Sequence, residues 1–121
     1  MSYYEPYSEL SGAAKEFDRV IQSLIEELDA INLYNQRADV TKDESVKALM
    51  LHNRNEEIEH AVMLFESLRR VTPEFDAQMK TYVFTSLPIT EVEENATGGS
   101  GQQGSSSSGS GSLGIGSLKN K

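Results

Sequence analysis

Residues 55–60 read Asn55-Glu56-Glu57-Ile58-Glu59-His60. In a helix, Glu57 and His60 lie on one face, one turn apart, where a carboxylate and an imidazole can hold the same metal ion. The surrounding periodicity is helical. Val46, Met50, Asn53, Glu57, His60, Leu64, Leu68 and Val71 recur at spacings of three and four. The ends of this stripe are apolar, and its centre is Asn53, Glu57 and His60. A second apolar face holds Leu51, Ile58, Ala61, Val62 and Phe65. One neighbouring helix cannot cover both faces, so a further helix or another subunit must cover the second.

Upstream lies a matching stripe. Phe17, Val20, Leu24, Glu27, Ile31, Tyr34 and Ala38 predict a helix from a Ser11 N-cap to about Asp39, widened by Ile21 and Leu28. Glu27 is the anomaly. A carboxylate at a core position is costly unless it is paired, binds a metal or reaches water through a gap in the packing. Thr41 and Glu44 have capping-box spacing, so a second helix is expected from there to about Val71, stopped by Pro73. The short connection makes the two helices an antiparallel hairpin. Glu27 and the Glu57/His60 pair are both mid-helix, so antiparallel pairing brings three potential ligands to one level.

Downstream, Pro73 opens a third helix expected to reach Phe84, with Phe75, Met79, Tyr82 and Val83 as its apolar side. Pro88 ends that segment, and the acidic residues 89–97 read as irregular. These elements give an N-terminal arm over residues 1–10, a helical domain over 11–97, a linker over 98–112 and a tail over 113–121. The arm carries Tyr3, Tyr4 and Tyr7 around Pro6 and reads as extended or frayed. Every linker residue is Gly, Ser or Gln, a composition that cannot bury a core. Leu113, Ile115 and Leu118 at the far end of that tether read as a docking peptide or as a tail without a partner.

Composition excludes several function classes. The net charge of −8 and the absence of a Lys/Arg stripe argue against nucleic-acid binding. With no cysteine, neither a disulfide framework nor a thiolate metal site is open to this chain. No leader-like apolar run or membrane span is read in the sequence, so a cytoplasmic location is expected.

Carboxylate-bridged di-iron four-helix bundles take Glu-x-x-His from two helices and a single Glu from each of the other two. This chain has one such motif and two long helices, which is half a site. A two-fold homodimer would supply the rest, with two metals per dimer, one per chain, and Glu27, Glu57 and His60 from each copy. The donors suit iron; zinc, manganese or calcium are alternative occupants. His52, at the stripe's edge, reads as a surface or outer group. Glu26 and Asp29 are either solvated charges or an acidic pair that stages incoming cations. Tyr34 either packs or hydrogen-bonds near the site.

Several stretches resemble the encapsulated ferritins. They are Ser23-Leu24-Ile25-Glu26-Glu27-Leu28, Gln36-Arg37-Ala38-Asp39, residues 52–61 around the Glu-x-x-His motif, Pro73-Glu74-Phe75-Asp76-Ala77 and Thr81-Tyr82. The tail Gly111-Ser112-Leu113-Gly114-Ile115-Gly116-Ser117-Leu118 is similar to peptides that direct cargo into encapsulin shells. The resemblance implies an all-α chain whose hairpin and short third helix complete a ferritin-like four-helix bundle by homodimerisation. It implies dimers assembled into a ring-shaped decamer inside an encapsulin nanocompartment. It further implies a ferroxidase oxidising Fe(II) with dioxygen at a shared di-iron centre of Glu27, Glu57 and His60, for mineral storage by the shell. Glu26 and Asp29 would form the entry site, and Leu113, Ile115 and Leu118 would dock to the shell. The alternative is a non-enzymatic helical cargo or adaptor protein attached to a shell by its tail.

Overall fold

The computed structural model describes residues 3–98. Residues 99–121, with most of the expected linker and with Leu113, Ile115 and Leu118, lie outside the described residues. The protein is all-helical, with no strand among the described residues. They divide into two compact units, one up to Thr72 and one from Pro73.

The first unit is a hairpin of two long helices, α1 (Gly12–Val40) and α2 (Glu44–Val71). Ser11 caps α1 as its sequence position predicts, its hydroxyl accepting from the Ala14 amide at 3.0 Å. The expected capping box at Thr41 and Glu44 is not the cap that forms. Asp43 caps α2, its Oδ1 accepting from the amides of Ser45 at 2.9 Å and Val46 at 3.1 Å. The reason is position. Thr41 is already the C-cap of α1, with its amide committed to the Arg37 carbonyl. Its hydroxyl instead accepts from the Asp43 amide, which holds the turn. A carboxylate placed directly before the helix is then the strongest acceptor available to the free N–H groups.

The hairpin core is built from Leu24 and Ala38 of α1 and Ala61 and Leu68 of α2. Leu24, Ala38 and Leu68 are the stripe residues that periodicity selects. Ala61 corrects the sequence reading, which placed it on the second apolar face. It stands four residues after Glu57, on the α1-facing line of α2, and its small side chain leaves room for a close helix approach. Phe17, Val46 and Val71, at the ends of the stripes, remain exposed, because no facing residue covers a stripe end. Residues 3–10 are not simply extended. They include a 3₁₀ turn at Tyr7–Glu9, an edge-to-face pair of Tyr3 and Tyr7 at 5.1 Å, and Lys15 4.0 Å over the Tyr7 ring.

The second unit pairs α3 (Pro73–Tyr82) with α4 (Ile89–Thr97). Pro73 occupies the first position of α3, as expected. The helix stops two residues short of Phe84, which adopts φ 64 and is fully exposed. Left-handed backbone cannot continue a right-handed helix. Residues 89–97, expected to be irregular, form α4. Pro88 does not merely end the preceding segment. It is the N-cap of α4, its carbonyl accepting from the amides of Glu91 and Val92. Val92 is buried and Ala96 follows one turn on, a short apolar line that the flanking glutamates hide in the sequence.

Candidate metal centre

The antiparallel hairpin sets the middle of α1 against the middle of α2. Glu27, Glu57 and His60 meet there, each offering a ligand atom within 4.8 Å of the others. The Nδ1 of His60 is 3.1 Å from Glu57 Oε1, one turn away on α2, and 3.4 Å from Glu27 Oε2 on α1. The Glu27 and Glu57 side chains keep about a quarter of their exposure and His60 nearly half, at 25%, 24% and 45%. The centre is therefore open to solvent on one side, and ions can reach it.

The electrostatics follow from crowding two carboxylates at one point. The carboxyl of Glu27 is held above the usual carboxylate range, first by its hydrogen bond to Glu57, then by partial burial and the charge of Glu57. Glu57 is held below that range by the same hydrogen bond, in which it accepts, and by His60. The imidazole of His60 is raised, first by its hydrogen bond to Glu57 and then by the charges of Glu27 and Glu57. Two carboxylates this close do not both ionise without a compensating cation. The raised carboxyl of Glu27 and the raised imidazole of His60 both favour holding a proton against that crowding, and a metal ion would compete for the same place. The donor set of two carboxylates and one imidazole suits iron, zinc or manganese.

The other residues singled out in the sequence are distributed around this triad. Glu26 and Asp29 are exposed on α1, and His52 is exposed on α2. None of the three joins the triad among the described residues. Tyr34 and Asn53 are half-buried. The sequence reading missed a polar crossing close to the centre. Arg54 of α2 donates from Nη1 to Oδ1 of Asn35 on α1 at 2.9 Å. Asn35 lies two turns after Glu27, and Arg54 lies one turn before Glu57. That pairing of positions is visible in the sequence once the hairpin register is assigned.

A family model described as EncFtn-like matches residues 2–86, a span that contains all three residues of the triad. The chain belongs to the EncFtn-like family. This member is 51% identical over 102 residues to a ferritin-like protein of Thermotoga maritima, covering 84% of this chain and 90% of that one. It is 42% identical over 103 residues to the encapsulated ferritin-like protein of Rhodospirillum rubrum, covering 85% and 74% of the two chains. It is 40% identical over 91 residues to the encapsulin nanocompartment cargo protein EncC of Myxococcus xanthus, covering 74% and 70%. A crystal structure of a Nitrosomonas europaea protein superposes with a TM-score of 0.71 at 50% identity, covering 74% of this chain and 98% of that one. The resemblance to encapsulated ferritins read from the sequence is borne out. Among the described residues of this EncFtn-like chain, no helix is long and apolar enough to cross a membrane.

Proposed function

We propose that this EncFtn-like protein is a ferroxidase that oxidises Fe(II) with dioxygen at a di-iron centre shared between two copies of the chain. The observation that carries the reading is the convergence of Glu27, Glu57 and His60 across α1 and α2. Three donors at an open centre leave coordination positions unfilled. A second copy, related by two-fold symmetry, would bring an equal set and hold two irons per dimer. The hairpin by itself leaves Ile25, Leu28, Leu49, Ile58, Val62 and Met63 exposed, apolar surface that a second copy would cover.

Iron is the substrate in this reading. Each ferrous ion gives up one electron, and two together reduce dioxygen by two electrons. The protein's contribution is positioning. Glu27 and Glu57 supply negative charge that favours the ferric product, and His60 completes the donor set from the exposed side. Glu26 and Asp29, both exposed on α1, would serve as an entry site for cations. The names of the relatives from Rhodospirillum rubrum and Myxococcus xanthus carry the idea of a shell to this chain. Residues 98–112 would tether the helical domain, and Leu113, Ile115 and Leu118 would dock it inside an encapsulin nanocompartment that stores the mineral. Dimers would assemble into a ring of ten.

The test is native mass spectrometry of the full chain, titrated anaerobically with Fe(II). An even-numbered oligomer taking up one iron per chain is expected, with Fe(III) formed on admitting air. A protein that takes up no iron, or a monomer that loads fully, would reject the shared centre and favour the adaptor reading.

A further inference from the structure

We infer that Arg54 is a positioning residue for the Glu27–Glu57–His60 centre, acting through Asn35 to set the register of α1 against α2; this rests on the metal-centre reading above. The centre draws Glu27 from one helix and Glu57 and His60 from the other, so it exists only at one register. A helix rises about 1.5 Å and turns about 100° per residue, so a one-residue slip would carry the Glu27 carboxylate away from His60. The buried residues Leu24, Ala38, Ala61 and Leu68 hold the helices together, but apolar contact is non-directional, and two of the four are only alanines.

Arg54 supplies direction. Its Nε and Nη2 both donate to Asn55 Oδ1, at 3.2 and 2.9 Å, which fixes the guanidinium plane from its own helix. The remaining Nη1 is thereby aimed across the hairpin, where it meets Asn35 Oδ1 at 2.9 Å. This contact lies outside the centre, where His60 and Glu57 of α2 meet Glu27 of α1, and so ties the two helices at a separate point. It lies on the turn side of the centre, while the buried Leu24 and Ala61 lie on the other side, so the triad is bracketed at both ends. A planar fork held at two edges resists both sliding and rotation, which a lysine ammonium cannot do.

The sign of the expected effect separates this role from plain electrostatics. Arg54→Ala removes a positive charge beside an acidic centre, which by charge alone would tighten cation binding. Loss of register weakens it. The test is anaerobic isothermal titration of the full-length chain with Co(II), with helicity and metal-free Tm measured alongside. Arg54→Ala and Asn35→Ala should each weaken Co(II) binding on the order of tenfold at unchanged helicity. Asn35→Ala alters no charge and stands alone if Arg54→Ala does not fold. Arg54→Lys should bind as weakly as Arg54→Ala. In a Glu27→Ala background neither substitution should cause a further loss, because the register acts by placing Glu27. Parent-like or tighter binding in Arg54→Ala, Asn35→Ala or Arg54→Lys overturns the inference, as does a loss that persists without Glu27. A parent chain that takes up no Co(II) rejects the metal-centre reading itself, a failure distinct from any pattern among the variants.

Discussion

His60 Nδ1 stands between carboxylates from two helices, 3.1 Å from Glu57 and 3.4 Å from Glu27. A nitrogen so placed is a ligand in waiting, and the carboxylates on either side of it set what each substitution should do. Glu57→Ala should abolish Fe(II) oxidation, because the loss leaves each chain with one carboxylate, Glu27, to offer the centre. His60→Ala should weaken iron uptake while changing the metal-free Tm little, since the imidazole is nearly half exposed and carries little packing. Oxidation followed by absorbance in air, with a thermal melt of each variant, checks both. A Glu57→Ala protein oxidising iron at the parent rate would sink the assignment.

Metal loading should stabilise the fold by linkage. At a free metal concentration a hundredfold above Kd, one site adds about 2.7 kcal/mol. The expected outcome is a higher Tm in the loaded protein, reversed by a chelator. A variant carrying both Glu27→Ala and Glu57→Ala should show no metal-dependent shift. An equal shift in that variant would place the binding elsewhere.

Oligomerisation should depend on the apolar residues that the hairpin leaves uncovered. Val62 and Met63 are 59% and 61% exposed on adjacent faces of α2, so each samples a different side. Placing a charge in a buried apolar interface is strongly unfavourable. Val62→Glu, Met63→Glu or both should therefore lower the mass of the assembly seen by native mass spectrometry. If both variants kept the parent mass, neither side of α2 would be a subunit interface.

The hairpin and its polar centre were legible because they rest on long, periodic signals. Leu24, Ala38 and Leu68 are buried where spacing put them, and Glu27 meets Glu57 and His60 because two mid-helix positions face each other in an antiparallel pair. The misses lie where a few local contacts compete. Thr41 and Asp43 both had N-cap chemistry, and the choice between them turned on where α1 ended, the Thr41 amide still donating to the Arg37 carbonyl. Pro88 can stop one helix or cap the next, and Val92 with Ala96 is too short an apolar line among glutamates to decide between the two. Ala61 fits either face by composition, and only the packing distance decides. Arg54 to Asn35 is a long-range pair, invisible until the register is known.

Leu68 has no exposed surface, so truncation should be costly. Leu68→Ala should destabilise by roughly 2–5 kcal/mol, measured by chemical denaturation of the metal-free protein. Ala61→Leu tests the opposite limit. Overpacking at the α1-facing line should cost about 1–3 kcal/mol and push the helices apart next to His60. It should therefore weaken metal binding as well as stability, whereas Leu68→Ala, two turns from His60, should affect stability alone. Unchanged metal affinity in Ala61→Leu would show that the centre tolerates a wider helix separation.

Glu66 provides a pH-dependent contribution away from the centre. Its carboxylate accepts from Arg69 Nε and Nη2 at 2.8 Å each and from Arg70 Nε at 2.7 Å, which lowers its pKa to about 2. A carboxyl whose folded pKa lies below its unfolded value stabilises the fold above the unfolded pKa, and that stabilisation is lost as pH falls toward the folded one. The window here runs from about 4.5 down to about 2. The side chains are substantially exposed, so solvent and salt screen the pair and the effect is small. Glu66→Gln should lower Tm slightly at neutral pH, and the difference from the parent should shrink as pH falls through that window. Added salt should shrink it at neutral pH as well. A difference independent of pH would assign the effect to packing of the side chain and not to its charge.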